Sequence, residues 1–359
     1  MTDSKDRPRK VRLTWRILDW TSTPRISVLD AALLALTVGL AAALIVIATK
    51  PFTSTTRLQS TSVLDHKMIW TTLGTMSGPI PSPDRSQPAN LLWNNKHAIL
   101  VDAGDGAAEQ IAKAGHSLSD VDTIILSHLH IDHTGGLSAL IGMRYQQRIP
   151  GTLTIYGPPG TRWLVDGIVA SEKPLLDLDA ASNPLVAHLA PSKVAVVEII
   201  DGEKFSVDDV KITAAENSHY GFQPSTANYK AYQSLSFRFD MSDRSIMFTG
   251  DTGPCDAVQA LAKGANLLVS EITDPDAELA SLKAERTGIP FFAYPVLKKH
   301  FEIEHLTADA VGKLAAGAGV RSLVLTHNPM PDNLIPQARV TITTHYDGPV
   351  AFAKDLDNY

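Results

Sequence analysis

A chain of 359 residues with 44% hydrophobic and 19% charged residues is long enough to bury a full core and is not composed like a disordered or fibrous protein. Its formal charge of −6 argues against a nucleic-acid partner, because polyanion binding draws on clustered Lys and Arg. One cysteine, Cys255, excludes an intramolecular disulfide and is compatible with a periplasm-like compartment without requiring one.

The chain opens on a basic leader. Residues 1–25 carry seven Lys and Arg against three Asp, a net +4, and taking that from −6 leaves −10 for residues 26–359. From Ala31 to Ala48 the sequence is apolar except for Thr37 and Gly39 and has no charge. With Ile26–Asp30 the stretch spans 26–48, enough for about 30 Å of helix. The spacing predicts a transmembrane signal anchor. The basic residues before it then place residues 1–25 in the cytoplasm and the rest outside, which for a bacterial cell is the periplasm. A cleaved signal peptide and a buried helix are the competing readings. Residues 49–65, rich in Thr and Ser, read as a tether, and residues 66–359 as one catalytic domain of alternating short apolar runs and helical stretches such as 106–114 and 258–264.

The chemistry is concentrated at Ser127-His128-Leu129-His130-Ile131-Asp132-His133, directly after the apolar run Thr123-Ile124-Ile125-Leu126. The run reads as a buried strand that delivers the cluster onto a loop. Three imidazoles and a carboxylate within six positions suit a metal such as zinc. His128 and His130 point the same way from an extended segment, while Asp132 and His133 turn towards a second ion. Three later segments repeat the pattern of apolar run, ligand-type residue and turn: Val210–Ala215 before His219, Ser245–Thr249 before Asp251, and Leu323–Leu325 before His327. Gly135 and Gly136 read as permitting a close approach to the following helix, with an anion-binding role as the alternative.

Taken together, the cluster, His219, Gly250-Asp251-Thr252 and His327 resemble the metallo-β-lactamase superfamily, and within it the ribonuclease Z and arylsulfatase-like branch. Leu73-Gly74-Thr75, Arg85, Val101-Asp102-Ala103-Gly104-Asp105-Gly106, Tyr156–Thr161 and His305–Ala310 are similar to that branch as well. The resemblance runs from about Trp70 to about Met330. It implies an α/β fold, the αββα four-layer sandwich. It implies one zinc on His128, His130 and His219, a second on Asp132, His133 and His327, and Asp251 bridging the two, with Mn2+ or Fe as other occupants. Such a pair lowers the pKa of a shared water from about 15.7 towards about 7. By the same resemblance His305 acts as general acid or oxyanion stabiliser, Glu271 orients it, and Asp132 helps to orient the nucleophile.

Two segments depart from true ribonuclease Z. Ile131 stands where that enzyme typically has Gly. The segment Gly160–Pro191 is apolar and acidic where ribonuclease Z has a basic arm that grips tRNA. The expected substrate is therefore a small phosphoester, phosphodiester or sulfate ester. Lactone or carboxyl-ester hydrolysis is the alternative, a silent binding protein is the reading from another class, and tRNA processing is disfavoured. Gly288–Pro295 with its aromatic residues is expected either to cover the metals or to pack on the second sheet. The oligomeric state is open, a homodimer included.

Overall fold

Strict alternation along the strands decides which side of each sheet faces which layer. In Ala98-Ile99-Leu100-Val101, Ile99 and Val101 join one core while Ala98 and Leu100 join another. Val121–Ile125 is apolar on both faces, with Ile124 in the first core and Ile125 in the second, as expected of a strand covered on both sides.

The computed structural model describes residues 68–182, 192–223, 225–285 and 287–359. The leader, the 26–48 stretch and the tether through residue 65 lie outside the described residues. Among the described residues no helix is long and apolar enough to cross a membrane.

The strands are β1 (Ile69–Gly74), β2 (Ala89–Trp93), β3 (Ala98–Ala103), β4 (Val121–Ile125), β5 (Thr152–Gly157), β6 (Lys193–Glu198), β7 (Lys204–Val207), β8 (Val210–Glu216), β9 (Leu235–Asp240), β10 (Ser245–Phe248), β11 (Leu267–Glu271), β12 (Leu323–Thr326), β13 (Val350–Phe352) and β14 (Asp357–Asn358). They form two seven-stranded sheets, ordered β14-β1-β2-β3-β4-β5-β6 and β13-β12-β11-β10-β9-β8-β7. Both are mixed. β3 to β6 run parallel and β10 to β13 run parallel, while the remaining pairs are antiparallel.

The helices are α1 (Ala107–Lys113), α2 (Ile131–Thr134), α3 (Leu137–Gln146), α4 (Thr161–Ser171), α5 (Lys173–Ser182), α6 (Ala227–Ala231), α7 (Asp256–Ala262), α8 (Pro275–Ala284), α9 (Tyr294–Glu304), α10 (Ala308–Ala318) and α11 (Ile335–Thr343). Ile111, Leu140, Ile141 and Val165 pack helices α1, α3 and α4 on the first sheet. Val258, Val311, Leu314 and Ile342 pack α7, α10 and α11 on the second. Trp70, Phe237, Phe239 and Phe248 fill the space between the sheets. The result is an α/β sandwich of four layers, as the resemblance implies.

Topology gathers the chemistry at one edge. Parallel pairing puts the carboxyl ends of β3 and β4 together and those of β10, β11 and β12 together. β9 is antiparallel to both β8 and β10, so β8 ends on the same side as β10. Asp102, the histidine cluster, His219, Asp251, Glu271 and His327 all lie at or just beyond these ends.

Candidate metal centre

His128 and His130 sit in the extended segment after β4, and α2 begins at Ile131, with His130 as its N-cap. The change of backbone splits the motif. His128 and His130 face His219, whereas Asp132 and His133 turn towards Asp251 and His327.

Hydrogen bonds fix the ring tautomers. Ser127 donates its amide to Asp102 Oδ1 at 2.7 Å and its hydroxyl to Asp102 Oδ2 at 2.8 Å. With its only proton committed, the hydroxyl oxygen accepts from His128 Nδ1 at 3.0 Å, which leaves His128 Nε2 as a lone pair. His219 Nδ1 donates to the Glu304 carbonyl at 3.2 Å, and His133 Nδ1 to Asp102 Oδ2 at 2.8 Å, so their Nε2 atoms are freed in the same way.

His128 Nε2 and His219 Nε2 each lie 3.1 Å from His130 Nδ1. A proton on His130 Nδ1 or a cation among the three nitrogens would satisfy contacts of that length. The edge of a tetrahedral zinc site with Zn–N of about 2.0–2.1 Å is about 3.3–3.4 Å, close to what is found. In the second group, Asp251 Oδ2 is 3.4 Å from His133 Nε2 and 3.2 Å from His327 Nε2, and Asp132 Oδ2 is 3.3 and 3.5 Å from the same two atoms. Asp251 Oδ2 also lies 3.8 Å from His128 Nε2 and 3.9 Å from His219 Nε2, between the two groups.

His133 Nε2, His327 Nε2 and Asp251 Oδ1 are buried without a hydrogen-bond partner. Each orphan of this kind costs about 1–3 kcal/mol unless something else satisfies it. The donor set, the spacing and the orphans fit two metal ions. His128, His130 and His219 would hold one, Asp132, His133 and His327 the other, and Asp251 both.

Electrostatics set the two groups apart: the first is held neutral, while the second would give up protons as a metal ion bound. Burial pushes His128, His130 and His219 below the usual imidazole range, so they stay neutral as ligands must. Burial acts the same way on His133 and His327, but Asp251 and Asp132 outweigh it and raise both. For Asp132 and Asp251, burial favours the protonated form, yet His133 and His327 overcome it and hold both carboxylates ionised.

Two backbone features aim these groups. Asp102 (φ 58°) and His327 (φ 46°) are non-glycine residues in the left-handed region. Such strain costs on the order of 1–3 kcal/mol and is held by the surrounding contacts. For Asp102 those contacts are Ser127 and His133. The His327 loop is held by Arg85, which donates to the Asn328 carbonyl at 2.7 Å.

His305 follows α9 and precedes Thr307, whose side chain caps α10. Its Nδ1 lies 2.8 Å from Glu271 Oε2, which leaves Nε2 as the free nitrogen. The ring packs against His219 at 4.8 Å and lies parallel to His327 at 6.1 Å. Glu271 is buried at the end of β11 and also accepts from the Thr252 amide, beside Asp251. Burial pulls His305 down, but Glu271 overcomes it and the imidazole is pushed up to about 9.

A cavity of about 220 Å3 opens over both ligand groups. Its walls include Pro79, Ile131, Phe301, His300 and Glu278, and among the described residues no Arg or Lys lines it. The segment 288–295 does not line it. Phe291 and Phe292 are 83% and 70% exposed, so they neither cover the metals nor pack on the second sheet. Phe301, one helix further on, supplies the aromatic wall. Gly135 and Gly136 serve the close approach: a Cβ on Gly136 would lie 2.3 Å from the Gly104 carbonyl oxygen.

The sequence pattern gives no role to Asp102, Tyr220 or Glu278. Asp102 follows the apolar run of β3 and precedes Gly104, the same signal that marks the ligands. Tyr220 packs on His128, His130 and His219 and accepts from the Leu129 amide at 3.1 Å. A glutamate within a helix, as Glu278 is, carries no such signal.

Residues 97–328 match the family described as Beta-lactamase superfamily domain. Ribonuclease Z of Mycobacterium sp. (strain KMS) is 32% identical over 262 residues, covering 72% of this chain and 82% of that protein. Among solved structures, the metallo-beta-lactamase fold protein YhfI from Bacillus subtilis aligns with a TM-score of 0.58 at 19% identity, over 81% of this chain and 98% of that one. The short form of human tRNase Z aligns with a TM-score of 0.55 at 22% identity, over 81% and 98%. The chain belongs to the beta-lactamase superfamily, in its metallo-β-lactamase fold, and is a hydrolase.

Proposed function

We propose that the chain is a dinuclear metal-dependent phosphodiesterase acting on a small diester, with zinc as the first candidate metal. The observation that carries this reading is the cavity itself. It is small, it opens directly on both ligand groups and His305, and among the described residues no Arg or Lys lines it. A site that grips a long polyanion needs such residues.

Two metal ions held there would activate a water and offset charge on the ester oxygens. His305 keeps a proton at Nε2 for the departing alcohol oxygen, and Glu271 fixes the ring by accepting from Nδ1. Asp102 holds His133 directly and His128 through Ser127, so the positions of two ligands depend on one carboxylate. Tyr220 closes one side of the histidine trio against water. Sulfate esters present a similar charge and shape and belong to the same reading, and a lactone would use the same metals.

A second reading is RNA cleavage, favoured by the identity to the mycobacterial ribonuclease Z proteins. The overall charge of −6 and the acidic α4–α5 region weigh against it. The apolar stretch 26–48, by its length and the basic residues before it, supports a single membrane anchor with the catalytic domain on the non-cytoplasmic face.

The test is hydrolysis by the zinc- or manganese-loaded chain of bis(p-nitrophenyl) phosphate, p-nitrophenyl phosphate, p-nitrophenyl sulfate, a lactone and a 3′-extended tRNA. Diester turnover well above the others supports the reading. Efficient tRNA trimming with poor turnover of small diesters would replace it with the second.

A further inference from the structure

Helix α8 starts cleanly. Asp274 caps it by accepting from the Asp276 and Ala277 amides, and Pro275 occupies its first turn. Its buried face is Glu278, Leu279 and Leu282. An acid on such a face is costly, because a carboxyl group taken out of water needs partners for both oxygens.

Glu278 has one. Ser77 donates its hydroxyl to Oε1 at 3.1 Å. The residue is 8% exposed and lines the cavity above the ligand groups, and among the described residues Ser77 is its one hydrogen-bond partner, at Oε1, which leaves Oε2 to the cavity. Among the described residues, every other carboxylate bordering that cavity belongs to the ligand set. The apolar part of the cavity wall is formed by Pro79, Ile131 and Phe301.

We propose that Glu278 is a substrate-binding residue. Its free oxygen accepts a hydrogen bond from a hydroxyl or ammonium group carried next to the scissile ester, and so selects diesters that bear such a donor. The inference rests on the phosphodiesterase reading and specifies its substrate class. An acceptor that the bound substrate covers without offering a donor loses its contact with water, so an analogue without the donor binds worse.

Ser77 precedes Gly78, whose amide donates to Asp132 Oδ2 at 3.1 Å. Glu278 could therefore serve only to brace that loop, and the experiment has to separate bracing from recognition. The zinc-loaded full chain is assayed on three p-nitrophenyl phosphodiesters, whose second groups are glyceryl, aminoethyl and propyl. The wild type prefers the first two over propyl by roughly tenfold in kcat/KM, the effect of one such hydrogen bond. Glu278→Leu erases the preference by raising KM for the donor-bearing diesters about tenfold more than for the propyl diester, with zinc content unchanged. Glu278→Gln keeps the glyceryl preference through its amide oxygen and loses the aminoethyl preference with its charge.

Equal kcat/KM for all three diesters in the wild type overturns the inference and leaves the phosphodiesterase reading standing. So does an equal loss on all three in both variants, which marks bracing alone. No turnover of any diester by the metal-loaded wild type overturns both.

Discussion

Asp102 makes three hydrogen bonds with two oxygens, to the Ser127 amide, the Ser127 hydroxyl and His133 Nδ1. Asp102→Ala frees both imidazoles, and metal affinity should fall about 10–100-fold in a competition assay with a chromophoric chelator. His305→Ala should keep both metals and lose about 10²–10⁴ in kcat. Near wild-type turnover at full occupancy would refute its role as acid. The pH profile gives a signed test of the pair. Glu271 is the strongest influence raising His305, so Glu271→Gln leaves burial opposed only by Asp251 and Glu278, and the alkaline limb of kcat should move to lower pH. The same linkage bears on stability. His305 is raised above its unfolded value of about 6.5, so its contribution is complete below that pH and is lost as pH rises through about 9. The metal-type residues were legible in the sequence because histidines after apolar runs are chemically unusual. Asp102 carried the same strand-end signal without revealing its role, which depends on Ser127 and His133, and Glu278 carried none, because a carboxylate in a helix looks ordinary until its partners are placed.

At the scale of elements, the site depends on how closely α2 and α3 approach the β3 loop. The Gly136 amide donates to the Ala103 carbonyl at 2.8 Å, and a Cβ there would meet backbone oxygen rather than a flexible side chain. Gly136→Ala should destabilise by about 1–3 kcal/mol and lower Tm accordingly, with metal lost in parallel, as a thermal melt with and without zinc would show. The helices expected at 106–114 and 258–264 are found at Ala107–Lys113 and Asp256–Ala262, since helical periodicity is a local signal. The segment 288–295 misled because exposed and buried aromatic residues look identical in sequence. Only the turn of α9 decides that Phe301 rather than Phe291 reaches the cavity.

At the scale of the whole molecule, the two-sheet architecture followed from the resemblance and not from local pattern. Which strands neighbour one another, and that β14 closes the first sheet beside β1, depends on pairings between residues 287 apart in the chain. The gathering of ligands from β4, β8, β10 and β12 at one edge is the consequence that matters for chemistry. The leader sets the other large-scale expectation: the intact chain should fractionate with membranes and be released when residues 26–48 are deleted, as centrifugation after lysis would reveal. The central claim is a two-metal hydrolytic centre. Its most direct test is zinc titration of chelator-stripped full chain, following bound metal and diester hydrolysis together. Two equivalents per chain, with hydrolysis appearing as they bind, is the predicted result. Fewer than one equivalent in folded protein, or hydrolysis undiminished after stripping, would contradict the account.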